Sequence, residues 1–263
     1  MNGEKVSIIT ISFNSGSTIE KTIQSVLSQQ YRPLEYVLVD GKSSDGTIEL
    51  IEKYIPILLK AGIEVVFKSE PDHGISDAFN KGISRSSGSI IGIINSDDQL
   101  SENAVEVVAN NFASDIDVLC GDCLWVDSYH DLMYIRKSKM KLEKLKYEMV
   151  LMHPACFVRK TAYLNGGGYN TEFKYVMDKE LMARLYRKGA HFKYLPQTLA
   201  IMSAGGVSDA NSRKVFQEGI EVAVQNGVPR WYAVVRSKYK VFALIIISKI
   251  KSSKLLWTLI HKD

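Results

Sequence analysis

The chain has 263 residues, 46% of them hydrophobic and 24% charged, with 33 Lys and Arg against 29 Asp and Glu. This length suits one large domain or two small ones, and the composition is ordinary for a soluble globular protein. A net charge of +4 gives no argument for a nucleic-acid partner, and three cysteines, an odd and sparse count, argue against a disulfide framework and fit a reducing compartment.

Met1-Asn2-Gly3-Glu4-Lys5 runs straight into a strand, so no basic-then-apolar leader is expected. The β-branched run Val6 to Phe13 ends at Asn14-Ser15-Gly16. Thr18 to Gln29 carries Ile19, Ile23, Val26 and Leu27 at helical spacing. Leu34 to Val39 reads as a second strand ending at Asp40, and Ser43-Ser44-Asp45 as the cap of a helix with Ile48, Ile51 and Ile55. Ile63 to Phe67 is a third strand, Ile75 to Ile83 a helix and Ile90 to Ile94 a fourth strand. Strands alternating with helices imply βαβ units and a mostly parallel sheet covered on both faces.

After Asp98 the rhythm changes. A helix is expected over Ala104–Phe112, strands over Val118–Val126, Leu132–Ile135 and Ala155–Val158, a loop at Gly166-Gly167-Gly168, and a helix over Lys179–Arg187. Cys120-Gly121-Asp122-Cys123 has thioredoxin-like spacing but lies within strand-like sequence, so structural cysteines are the better reading. The first half, about 1–98, looks like a nucleotide-binding layer and the second, about 99–227, like a variable region laid over the same sheet; no domain boundary is expected before about Gly227, which divides this body over 1–227 from a tail over 228–263.

The most informative stretch is the apolar run Ile90-Ile91-Gly92-Ile93-Ile94 stopping at Asn95-Ser96-Asp97-Asp98. Such a run reads as a strand buried on both faces. Adjacent carboxylates at its end repel, and a divalent cation with open positions, Mg²⁺ or Mn²⁺, would neutralise them and hold a diphosphate. The competing reading is an Asp-rich turn before the next helix. Asp40 could accept a hydrogen bond in a cleft or simply form an Asx turn. Asp72, Asp77 and Asn80 surround a short helix and face either a ligand or solvent. His153 is a candidate ligand or a satisfied structural histidine. Asp178 is either a helix N-cap or a general base that deprotonates a hydroxyl.

Together these residues carry a resemblance. Val6–Asn14, then Val39-Asp40-Gly41-x-Ser43-x-Asp45-Gly46-Thr47, Glu70-Pro71-Asp72-x-Gly74 with Ala78-x-Asn80-x-Gly82, and Asn95-Ser96-Asp97-Asp98 resemble the inverting glycosyltransferases of family 2 over about residues 5 to 205. The resemblance implies a GT-A fold, an α/β architecture with a Rossmann-like mixed sheet. It implies a nucleotide-sugar donor, a UDP-sugar by default. Asp40 is then expected at the base, Asp97 at the ribose or sugar and Asp98 at the metal, with Asp178 as base. Thr10, Phe13, Asn14, Asp72, Asn80 and Lys81 join the expected donor side, His153 the metal and Asp122 the acceptor side. The family often has Glu-Asp where this chain has Met177-Asp178. Processive members share Gln-x-x-Arg-Trp, whereas Arg230-Trp231 here follows Gln225 at another spacing, so transfer of a single sugar is expected.

The tail from Arg230 carries eight basic residues against Asp263, with Trp231, Val234, Val235, Tyr239, Phe242, Ile245 and Ile246 at helical spacing. Its apolar run is too short to span a bilayer, which takes about 20 residues. It is expected to be an interfacial helix that holds the enzyme on the cytoplasmic face of a membrane near a lipid-linked saccharide acceptor, or a helix packed on the catalytic domain or on a second copy. A homodimer is a further expectation. The competing functions are a nucleotidyltransferase, disfavoured because Phe13-Asn14-Ser15-Gly16-Ser17-Thr18 lacks a basic residue, and a non-catalytic nucleotide-sugar binding protein.

Overall fold

The computed structural model describes residues 3–127, 129, 131–205 and 212–240. Four strands and three helices build the first half: β1 (Val6–Ser12), α1 (Ile19–Leu27), β2 (Leu34–Asp40), α2 (Thr47–Lys60), β3 (Ile63–Ser69), α3 (Ile75–Arg85) and β4 (Ile90–Ile93). β1 pairs in parallel with β2 and β4, and β2 with β3. The α/β reading therefore holds, with observed boundaries within about two residues of those expected in this half.

Alternation along the strands sorts their side chains to two faces. Ile8, Tyr36 and Leu38 point toward α1, α2 and α4 (Ala104–Asn111), packing with Ile23, Ile51 and Val105. Ile9, Val37, Ile91 and Ile93 point the other way, toward Phe79 of α3 and Leu181 and Met182 of α6 (Met177–Arg187). Each such fully buried aliphatic side chain contributes about 1.5–3 kcal/mol relative to exposure. Helices thus cover both faces.

The second half extends the same sheet. Its strands are β5 (Gln99–Leu100), β6 (Val118–Asp127), β7 (Leu132–Arg136), β8 (Cys156–Arg159) and β9 (Phe192–Ser203), and the sheet order is β3-β2-β1-β4-β8-β6-β9-β5, with β7 on β6. β8 runs antiparallel to both β4 and β6, which makes the sheet mixed. α5 (Lys160–Gly166) ends where a loop was expected to begin, because Gly167 takes φ +92°, a left-handed C-terminal cap.

β9 escapes the sequence reading. Pro196 and Gln197 break its apolar alternation, and its register against β6 shifts between Cys120 and Asp122 and again before Cys123. α7 (Ser212–Gln225) also escapes it. Gly227 closes that helix at φ +81°. A further helix, α8, spans 230–240. Its Ala233 is buried with Ala223 and Val228 against Tyr147, so the start of the tail packs on the catalytic body. The remainder of the predicted tail, 241–263, lies outside the described residues.

Candidate active site

The parallel strands deliver their carboxyl ends to one edge, where ligands of open α/β sheets bind. A cleft of about 1110 Å³ opens there, lined by Phe13, Asn14, Asp72, Asp97, Asp98, His153 and Asp178 among others.

The glycine- and serine-rich segment after β2 latches the loop after β1. The Asn14 N–H donates to Ser43 Oγ at 2.8 Å, the Ser15 N–H to Thr47 Oγ1 at 2.8 Å and the Gly16 N–H to Asp45 Oδ2 at 2.9 Å. Asn14 sits at φ +50°, a region Asn tolerates, and its side-chain oxygen accepts the Ser44 N–H at 3.0 Å. Phe13 is thereby presented to the cleft with 66% of its surface exposed. Gly41 lies beneath it. A Cβ there would meet Asp72 Oδ2 at 2.6 Å and Phe13 Cδ2 at 3.4 Å, so a side chain at this position would push the Asp72 carboxylate away from Phe13.

The acidic turn after β4 is clamped from β9, through Ser203. The Ser203 hydroxyl donates to the Asp97 carbonyl at 2.8 Å, and its N–H to Asp98 Oδ1 at 3.1 Å. Asn95 Nδ2 approaches Asp98 Oδ2 at 3.3 Å, and Thr22 Oγ1 donates to the Asp98 carbonyl at 2.7 Å. Asp98 is 2% exposed, and burial followed by the neighbouring Asp97 charge pushes its carboxyl up to about 7. Burial also raises Asp97. Among the described residues only amide donors face this carboxylate and no cation pairs with it; held out of water, it is a hard oxygen ligand that fits a divalent cation. Asp98 would hold that cation.

Asp178 lines the same cleft from the first turn of α6. The N-cap is Val176, so Asp178 is the second helical residue rather than the cap; its carboxylate accepts the Lys179 N–H at 2.7 Å. Lys179 is buried, and desolvation pushes its ammonium down to about 8 while Asp178 pulls it back up.

Several expected site residues lie elsewhere. Thr10 points into the sheet, fully buried, and accepts the Tyr36 hydroxyl at 3.0 Å. Asp40 is also fully buried: Ser12 Oγ (3.1 Å), Ser43 N–H (3.0 Å), Ser43 Oγ (2.5 Å) and Ser69 Oγ (2.7 Å) occupy its lone pairs, so it ties the ends of β1 and β3 to the loop after β2. Asn80 spends its amide on both backbone groups of Tyr169, at 2.8 and 2.7 Å. Lys81 pairs with Asp77 at 2.9 Å and the Pro71 carbonyl at 2.7 Å. Asp122 is buried on β6, accepting the Ser138 N–H and the Tyr194 hydroxyl, each at 3.0 Å.

His153 reaches the cleft but not a metal cluster. It shares a 2.7 Å hydrogen bond with the Tyr169 hydroxyl and packs beside Phe79, and burial lowers its pKa against the opposing charge of Asp178. Among the described residues no group of three or more His, Cys, Asp or Glu is arranged to hold a metal. The cysteines are buried thiols, Cys156 Sγ standing 3.4 Å from Cys120 Sγ on the neighbouring strand.

Comparison with known proteins agrees with this geometry. The family model "Glycosyl transferase family 2" matches residues 7–190. An uncharacterized glycosyltransferase of Mycobacterium tuberculosis is 30% identical over 189 residues, 68% of each chain. Among solved structures, S. aureus TarS in complex with UDP aligns with TM-score 0.65 at 18% identity, covering 83% of this chain and 64% of that one, so this chain spans under two thirds of it. A mannosyltransferase from Pyrobaculum calidifontis in complex with GDP-Man and Mn²⁺ aligns with TM-score 0.65 at 15% identity, covering 98% of this chain and 83% of that one. The mixed α/β sheet is that of a GT-A glycosyltransferase. The chain belongs to glycosyl transferase family 2, and the nucleotidyltransferase reading gives way to it.

Proposed function

We propose that this enzyme transfers one sugar from a nucleotide-sugar donor, a UDP-sugar, to a hydroxyl of a lipid-linked saccharide, inverting the anomeric carbon. The observation that carries the reading is that Asp98 and Asp178 line one cleft together with Phe13 and Asp72. Phe13 offers a ring face on which a base stacks, and Asp72 beside it an acceptor for a base N–H. Asp97 accepts from ribose or sugar hydroxyls. A divalent cation on Asp98 would neutralise charge on the departing diphosphate. Asp178 takes the proton of the acceptor hydroxyl; its oxygen attacks the anomeric carbon from the face opposite the leaving nucleotide, whose bond breaks.

A place at the inner membrane surface belongs to the same proposal. No helix among the described residues is long and apolar enough to cross a membrane. On α8, Trp231, Val235 and Tyr239 recur every four residues and are 70%, 58% and 73% exposed, the stripe an interfacial helix presents.

The test incubates the full chain with a panel of nucleotide sugars and Mn²⁺, follows nucleoside diphosphate release, and reads the anomeric configuration of any product by NMR. Release from one donor with an inverted product is expected. No release from any donor, or retention at the anomeric carbon, refutes the proposal.

A further inference from the structure

Two arginines line the cleft in the same unusual state. The Arg236 guanidinium lies 4.4 Å from the centre of the Tyr147 ring, and that of Arg136 lies 4.0 Å from the centre of the Trp125 ring. Neither guanidinium donates a hydrogen bond within the described residues. A stacked guanidinium is held in one plane with its N–H fork open, the arrangement that suits bidentate binding of a phosphate.

Arg236 has company. Lys240, one turn further along α8, also lines the cleft, and its only partner among the described residues is Glu148 at 3.8 Å. Residues four apart on a helix are surface neighbours. Lys179 stands close enough for the Lys240 charge to bear on its titration, and its Nζ donates to the Gly219 carbonyl at 3.3 Å. Besides Asp178, two acids bear on Lys179: Glu148, which also lines the cleft, and Glu218, which is committed to three backbone N–H groups. Tyr239 lines the cleft between Arg236 and Lys240 and belongs as well to the exposed stripe with Val235 and Trp231. Cations and an apolar path therefore meet on one helix.

We infer that α8 forms an acceptor subsite in which Arg236 and Lys240 bind a phosphate or diphosphate ester and the Tyr239–Val235–Trp231 stripe takes the attached hydrocarbon. This rests on the proposed glycosyl transfer and names its acceptor as an anionic amphiphile. The phosphate then lies on the side of the cleft where Lys179 and Asp178 stand.

The experiment measures binding to the full chain, in EDTA, of undecyl diphosphate, inorganic pyrophosphate and undecyl maltoside. Wild type should bind undecyl diphosphate more tightly than pyrophosphate, and the neutral maltoside weakly. The double change Arg236→Gln with Lys240→Gln should weaken undecyl diphosphate binding about tenfold or more, since it removes charge-assisted bonds. Arg236→Lys, which keeps charge but loses the fork, should weaken it less. Donor hydrolysis with Mn²⁺ should stay within about twofold of wild type, because these side chains hold the acceptor. Unchanged undecyl diphosphate binding in the double variant overturns the subsite, as does equal binding of the maltoside. A matching rise in donor KM overturns it too, by giving these cations to the donor. Pyrophosphate bound as tightly as undecyl diphosphate removes the hydrocarbon path. Absence of donor hydrolysis by wild type counts against the transferase reading and leaves the binding arms legible.

Discussion

Glu218 stands behind Asp178 and fixes the segment that carries it. The Glu218 carboxylate accepts the N–H groups of Lys174 (2.9 Å), Tyr175 (2.8 Å) and Val176 (3.1 Å), and Val176 is the N-cap from which α6 and Asp178 begin. An acid from another helix thus satisfies three consecutive backbone donors in the segment that leads into α6, ending at its N-cap. Glu218→Ala leaves them to water and should cost about 1–3 kcal/mol of stability. It should lower kcat while leaving donor KM near wild type, because the donor side of the cleft is untouched. Glu218→Gln, with a single acceptor oxygen, should recover part of both. Thermal melts and steady-state kinetics decide; a normal kcat in the alanine variant refutes the positioning role.

Asp178→Asn keeps the size of the side chain and an oxygen to accept the Lys179 N–H, but it cannot take a proton. The loss of a general base typically costs about a hundredfold to ten-thousandfold in rate. Transfer should fall by that much, with nucleotide affinity from titration calorimetry little changed. Full activity would assign the proton to another acceptor. Asp122 is not available for that part, since it is buried and committed to Ser138 and Tyr194.

The parallel half was legible because strand, turn and helix repeat at short range and each strand is a near-continuous apolar run. The acidic turn and Asp178 were legible as positions, since carboxylates at a strand end and a helix start are local features. What each side chain touches was not. Asp40 and Thr10 occupy motif positions, yet strand alternation turns both into the protein. Ser203 and Glu218 meet the site from 105 and 40 or more residues away in the chain, through the β6–β9 register and the seating of α7, and nothing near them in sequence signals it. The tail shows the same limit. Its amphipathic spacing was visible, but the packing of Ala233 under Tyr147 depends on α7, an element the sequence pattern did not reveal.

Glu35 should govern part of the acid sensitivity. Burial pushes its carboxyl upward, but hydrogen bonds from Ser7 Oγ (2.5 Å), Ser87 Oγ (2.6 Å) and the Ser87 N–H (2.8 Å), with the Lys5 charge at 3.8 Å, leave it below its ordinary value. A depressed carboxyl contributes stability above its unfolded pKa, lost as pH falls through the folded value. Glu35→Gln should therefore unfold at lower urea than wild type at pH 7, by about 1–3 kcal/mol. The gap should narrow once pH drops below about 4, where unfolded carboxylates protonate. A gap independent of pH would show that shape, not charge, sets the effect.

Asp98 offers the sharpest test of the metal. Its carboxyl is raised to about 7, so in metal-free protein ionising it costs stability, which declines from about pH 4, the unfolded value, until the loss is complete above about 7. Asp98→Asn removes the charge and keeps most of the shape. In EDTA at pH 8 the variant should melt at or above the wild-type temperature. With Mn²⁺ and a nucleoside diphosphate the order should invert: ligand that binds only the native state raises the wild-type melting temperature, and the variant should show little rise. Transfer should be abolished in the variant and suppressed by EDTA in wild type. A variant that melts well below wild type in EDTA yet retains transfer would make the Asp97-Asp98 pair a structural turn and move any cation elsewhere.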